Sequence, residues 1–237
     1  MTLEIDTIGY AFVGGLLPAL VWLFFLLKEE ERCPQPRWAV FLAFLTGMIA
    51  VPLVIPFEDQ ASRALASGVP LIVAWATIEE TAKYALAAMI ILWRKSAIRN
   101  PIDVVATMLT VALGFAAVEN ALFLIDPLSE GRFLAGFVTN NLRFIGSTLL
   151  HVMASSTIGF ALAFSYTAGR PLRAFAASLG LILSIALHAA FNFFIIQSDG
   201  STTILAFFLV WTAAIVFFAT FEILKYFRYR ALPKNTC

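Results

Sequence analysis

The stretch Trp75-Ala-Thr-Ile-Glu79-Glu80-Thr-Ala-Lys83-Tyr84 puts three ionisable side chains within five residues. The run that contains it, about residues 68–93, is otherwise apolar and long enough to cross a bilayer, which takes about 20 residues of helix. Water solvates charges and hydrocarbon does not. An ionisable group at bilayer depth therefore marks a functional site unless partners explain it away. The rest of the chain is read by asking what else reaches that spot.

Working outward, composition sets the class. The chain has 237 residues, of which 61% are hydrophobic and 13% charged. A soluble domain carries about 45–50% apolar and about 25% charged residues. This chain has too little polar surface to cover a core of that size, and phenylalanine alone contributes 23 residues. An all-α, polytopic membrane protein follows. The net charge of +1 and the absence of a basic run give no reason to expect a nucleic-acid partner. Cys33 and Cys237 form neither a disulfide framework nor a metal motif. The N-terminus holds Glu4 and Asp6 and no basic residue, so no cleaved signal peptide is expected.

Seven spans are expected: about 8–27, 38–56, 68–93, 102–125, 143–166, 174–197 and 202–224. A short interfacial piece is expected at 133–142. Pro52 and Pro56 end the second span, and Phe57–Arg63 reads as a polar link. Alternate connections test the division. One set holds Lys28, Arg32, Arg37, Arg94, Lys95, Arg99, Arg170, Arg173 and the tail residues Lys225, Arg228, Arg230 and Lys234, twelve in all. The opposite set holds only Arg63 and Arg132. Basic connections stay in the cytoplasm. The N-terminus is therefore expected outside and the C-terminus in the cytoplasm, in a multi-pass plasma-membrane protein of a bacterium or archaeon. Short connections and the lack of repeats make residues 1–237 one domain, with its motif core at about 68–197.

Polar residues inside the spans form stripes. Glu79 and Glu80 lie four and three residues before Lys83, on one helix face. The fourth span adds Glu119 and Asn120. Arg143, Ser147, His151 and Ser155 recur every four residues on the fifth. Ser184, His188 and Asn192 do the same on the sixth. His151 and His188 are the chain's two histidines, and both fall within spans. At about 1.5 Å of rise per residue, Glu79 and Glu80 lie roughly 16 Å below the outer face, His151 roughly 12 Å and His188 roughly 14 Å. Glu119 and Asn192 lie roughly 8–9 Å down. Singly, a Glu–Lys pair is a structural clamp, and a Ser or Asn is an interhelical hydrogen bond. Together, charges from four helices at one depth must pair or line a watered cavity.

A carboxylate beside a histidine can take a proton from water and pass it to a leaving amine. A second histidine with an asparagine can hold a developing oxyanion. These are the parts of a peptidase that uses activated water. No nucleophile-elbow, zincin, phosphate-loop or dinucleotide motif occurs. Two histidines and a glutamate make zinc the alternative, and Lys83 and Arg143 place positive charge against it. No cofactor is therefore expected. A proton- or ion-coupled transporter would use the same buried groups, but the chain shows no repeated halves and no broken helix pair. A non-catalytic membrane protein on the same scaffold is the third possibility.

Glu79-Glu80-x-x-Lys83, Phe115-x-x-x-Glu119-Asn120, His151-x-x-x-Ser155 and His188-x-x-x-Asn192, in this order on successive helices, resemble the PrsW family of intramembrane proteases. That family is related to the CAAX prenyl endopeptidases and the bacteriocin-processing membrane proteins. The resemblance covers about residues 75–195. It implies a glutamate-dependent peptidase without a required metal, which cuts a membrane-anchored protein such as an anti-sigma factor near its extracytoplasmic side. It makes Glu79 the water-activating base, with Glu80 and Lys83 beside it and His188 and Asn192 at the oxyanion. Lys83 stands where the CAAX enzymes carry an arginine one residue later, and Glu119 where they carry a histidine. A CAAX substrate is therefore not expected, and His151 is the candidate partner of the base. Arg143 and Lys83 are expected to balance the carboxylates.

Overall fold

The computed structural model describes residues 5–29, 34–142, 146–196 and 203–230. These are helical throughout, with short connections, and contain no strand. The elements are α1 (Ile5–Glu29), α2 (Arg37–Ala64), α3 (Val69–Ala87), α4 (Pro101–Ser129), α5 (Phe133–Leu142), α6 (Thr148–Phe164), α7 (Arg170–Ile196) and α8 (Thr203–Arg230). A π-helical turn, Ala88–Leu92, continues α3. Helices α1, α2, α4, α7 and α8 are each long and apolar enough to cross a membrane. Large apolar side chains such as Phe24, Phe41, Phe175, Phe208 and Ile215 point outward, as a hydrocarbon solvent permits.

Helix α4 is the central post. Its apolar residues run right round the helix rather than along one stripe, which is the pattern of a helix buried on all sides. It packs against α1, α2 and α6. At the α2–α4 crossing the two backbones touch. A Cβ on Gly47 would collide with the Val111 carbonyl, and one on Gly114 with the Phe44 carbonyl. Without a hydrophobic drive inside lipid, such close approach of small residues is what holds helices together. The start of α4 is fixed by a reciprocal cap. Asn100 Oδ1 accepts from the Ile102 and Asp103 amides at 2.8 and 3.2 Å, and Asp103 Oδ2 accepts from the Asn100 amide at 3.1 Å.

One expected boundary is corrected. The link at Phe57–Arg63 is not a loop, because α2 runs on through Pro52 and Pro56 to Ala64. Local bonds hold the extra turns together. Ser62 Oγ donates to the Glu58 carbonyl at 2.7 Å, Arg63 pairs with Asp59 at 2.7 Å, and the Leu65 amide closes on the Ala61 carbonyl at 2.9 Å. Proline removes its own ladder bond without forbidding the next turn. The consequence is functional, since the extension carries Glu58 to the site.

Candidate active site

Helices α3, α4, α6 and α7 meet around a cluster that is ionic at its base and open to a cavity on one side. Glu80 and Lys83 form the base, and both are fully buried. Lys83 Nζ donates to Glu80 Oε1 at 2.7 Å and to His151 Nδ1 at 2.9 Å, and lies 4.0 Å over the Phe115 ring. Glu80 Oε1 also meets His188 Nδ1 at 2.8 Å. Its second oxygen accepts from Ser155 and Ser184, each at 2.8 Å. Four partners on three helices thus hold one carboxylate, as a charge in a low-dielectric interior requires.

Glu79 is different. It is the preceding residue, its side chain is 7% exposed, and it lines the cavity. Its Oε2 is buried and, among the described residues, has no hydrogen-bond partner. That oxygen lies 3.9 Å from His151 Nδ1, 3.9 Å from His188 Nε2 and 3.5 Å from Lys83 Nζ. The gaps to the histidines are too long for direct bonds and short enough for one shared water.

The network sets the imidazole protons. His151 Nδ1 accepts from the Lys83 ammonium, so its Nε2–H donates to Glu119 Oε2, 2.6 Å away. His188 donates from Nδ1 to Glu80, which turns its Nε2 toward Glu79 and the cavity. The two rings meet edge to face, with centroids 5.0 Å apart. Glu119 carries the chain of contacts to the cavity, where its side chain is 22% exposed.

The cavity has a volume of about 630 Å³. Trp75, Phe115, Phe123, Phe191 and Phe207 give it aromatic walls, and Asn192 sits on its wall one turn beyond His188. Ligand sites share this form, apolar with a few convergent polar groups. Glu79, Glu119, His151, His188 and Asn192 are therefore brought to one cavity, with Glu80 and Lys83 beneath them. Arg143 lies outside the described residues. Asn120 serves as a clamp instead, its Nδ2 donating to Thr148 Oγ1 at 2.8 Å.

Glu58 was not anticipated from the sequence. Val51, Val54, Ile55 and Glu58 share one face of α2 and line the cavity together. The signal was present as an i, i+3, i+4, i+7 pattern running across Pro56. Trp75 Nε1 ties the two walls by donating to the Glu58 carbonyl at 3.4 Å.

The family of intramembrane metalloproteases named for PrsW matches residues 35–221. The chain belongs to the PrsW family. Among its relatives, Protease PrsW of Clostridioides difficile (strain 630) is 26% identical over 190 residues, covering 77% of each chain. No solved structure matches. A PrsW family member with these apolar helices is a membrane-embedded peptidase, and its substrate is a protein.

The family description names a metal, so the donor set needs testing. Glu79, His151 and His188 can each turn one donor atom to a common point, all within 4.8 Å of one another. Yet His151 Nδ1, the nitrogen nearer Glu79, already accepts from Lys83, and its Nε2 is engaged by Glu119. The Lys83 ammonium itself stands 3.5 Å from Glu79 Oε2. A divalent cation there would face a buried positive charge and lack a histidine lone pair. The arrangement does not fit a metal.

Proposed function

We propose that this chain is an intramembrane endopeptidase that uses Glu79 to activate water, without a metal, against a membrane-anchored protein. The observation that carries the reading is the contrast within the Glu79–Glu80 pair. Glu80 is held by four partners, while Glu79 lines the cavity and its Oε2, which makes no hydrogen bond among the described residues, lies 3.9 Å from each of two histidines. A general base needs a free lone pair within reach of the water it deprotonates.

The reaction then balances as follows. Water bonded to Glu79 Oε2 attacks the scissile carbonyl carbon and gives its proton to Glu79. A C–O bond forms and the carbonyl π pair moves onto oxygen. His188 Nε2–H and the Asn192 amide hold that oxyanion. Donation from Nε2 requires a doubly protonated His188, and Glu80 on its Nδ1 supplies the counter-charge. Collapse breaks the C–N bond, and the proton on Glu79 passes to the leaving amine. Lys83, reinforced by Arg143, offsets the surplus carboxylate charge.

For topology, we read seven crossings. Helices α3 and α6 add to the five long apolar helices; α3 carries three of the site's charges, Glu79, Glu80 and Lys83, and α6 has 17 residues. The twelve-to-two division of basic residues then favours an outer N-terminus and a cytoplasmic C-terminus in a bacterial or archaeal plasma membrane. On that orientation the cavity lies in the outer half, which would suit a first cut on the extracytoplasmic side of an anti-sigma-factor-like substrate. Co-expression with tagged single-span membrane proteins tests the assignment. Cleavage is expected from the unaltered chain and not from Glu79→Ala or His188→Ala at equal protein levels. Full cleavage by Glu79→Ala would remove Glu79 from the role of base.

A further inference from the structure

A second cavity, of about 600 Å³, lies at the other end of α3. Its walls are Tyr84, Ala88, Leu92 and Trp93 from α3 and its π turn, Leu162 from α6, and Arg170, Arg173, Ala174 and Ala177 from α7. Near the first cavity the same two helices pack closely, through Ile72 and Ala76 against Ile185 and Ala189. Toward the basic end, Ala88, Ala168, Ala174 and Ala177 leave the space open. The π turn widens α3 there, a device that recurs at functional sites.

The charges at this end divide into two kinds. Arg99 is engaged by Asp103 at 3.6 Å and by the Pro34 carbonyl at 2.6 Å, and Arg94 Nε donates to the Ile90 carbonyl at 2.6 Å. Arg170 and Arg173 lie on the cavity and, among the described residues, pair with no carboxylate. Arg173 only overlies the Tyr166 ring, at 5.9 Å. Two free guanidinium groups above a mostly apolar hollow call for an amphipathic anion. Guanidinium forks match phosphate oxygens in pairs, and an apolar tail fills the rest. Basic pockets between membrane helices hold lipid head groups by this chemistry.

We propose that this cavity is a binding site for an anionic phospholipid, its phosphate on Arg170 and Arg173 and its acyl part against Leu92, Leu162, Ala174 and Ala177. The inference rests on reading the chain as bilayer-embedded, and it is independent of the peptidase chemistry. Tyr84 directly follows Lys83, so an occupant would also brace the helix that carries the ionic base.

The test uses the purified full chain in detergent. Phosphatidylglycerol, phosphatidylcholine and inorganic phosphate are added separately, and retention is read by native mass spectrometry with the apparent unfolding temperature alongside. Phosphatidylglycerol is expected to stay bound and to raise the unfolding temperature by about 5 °C or more at ~100 times its Kd. Phosphatidylcholine and phosphate should do neither. Arg170→Gln with Arg173→Gln should lower retention about tenfold or more. Ala174→Trp, which fills the hollow and keeps both arginines, should lower it too, and decides the matter if the double variant does not fold. Equal retention of the two lipids, equal protection by free phosphate, or unchanged retention in the variants would overturn the proposal.

Discussion

The acidic cavity and the basic cavity are both walled by α3 and α7 and have similar volumes, about 630 and 600 Å³. They differ in how their polar groups are held. Around the acidic cavity, side chains from four helices interlock, and among the described residues Glu79 Oε2 stands out as a buried oxygen without a hydrogen bond. At the basic cavity neither arginine pairs with a carboxylate among the described residues, and Arg173 rests on one aromatic face. The first arrangement suits chemistry, which needs one group poised and its neighbours immobile. The second suits capture of a ligand that brings its own charge.

The contrast is sharpest between Glu79 and Glu80, and isosteric replacement can break it. Glu79→Gln removes a base that makes no hydrogen bond among the described residues and only the longer of the two ion pairs to Lys83, at 3.5 Å. Cleavage should fall by about 10²–10⁴-fold, with the unfolding temperature unchanged. Glu80→Gln leaves the buried Lys83 ammonium without its nearest counter-charge. Stability should fall by about 3–5 kcal/mol, and activity with it. Thermal unfolding beside a cleavage assay separates the two. A destabilised Glu79→Gln or a fully stable Glu80→Gln would reverse the division of labour.

Glu58 tests how far the acidic cavity extends. It lines the cavity, yet its carboxylate makes no hydrogen bond to the cluster among the described residues. Glu58→Gln should therefore change KM by a few-fold, leave kcat within about twofold, and not alter stability. Loss of kcat comparable to that of Glu79→Gln would make Glu58 part of the proton path.

Much of this was legible in the sequence, for reasons that also set the limit. Charges are so rare inside spans that Glu79, Glu80, Lys83, Glu119, His151 and His188 stood out, and helix rise alone put them at similar depths. Helix period put Ser184, His188 and Asn192 on one face. What one helix at a time does not show is which atom meets which. The four-fold holding of Glu80 involves three helices, so spacing left either glutamate eligible as the base. Glu58 was hidden by a local rule. Two prolines and a polar run read as a loop, while the face shared by Val51, Val54 and Ile55 continued through them. The basic cavity was invisible because small residues announce nothing; Ala88, Ala174 and Ala177 matter through the volume they leave empty.

The smallest expected effect bears on the metal. If the acidic cavity worked by a bound cation, His151 would have to give up Lys83 and turn a lone pair inward. The ammonium would then sit beside the ion with Glu80 as its only near counter-charge. The observed bonds argue the reverse, with His151 spent on joining Lys83 to Glu119. Prolonged treatment with EDTA or phenanthroline should therefore change cleavage by less than about twofold, whereas removal of a zinc that polarises the carbonyl would forfeit several kcal/mol of transition-state stabilisation. Loss of activity on chelation, restored by added zinc, would show that His151 exchanges partners on loading. It would also predict that Lys83→Met raises metal affinity, since the competing charge is gone. Insensitivity to chelators together with inactivity of Lys83→Met would leave Lys83 as the fixed cation of the site, in the place where a metal would otherwise stand.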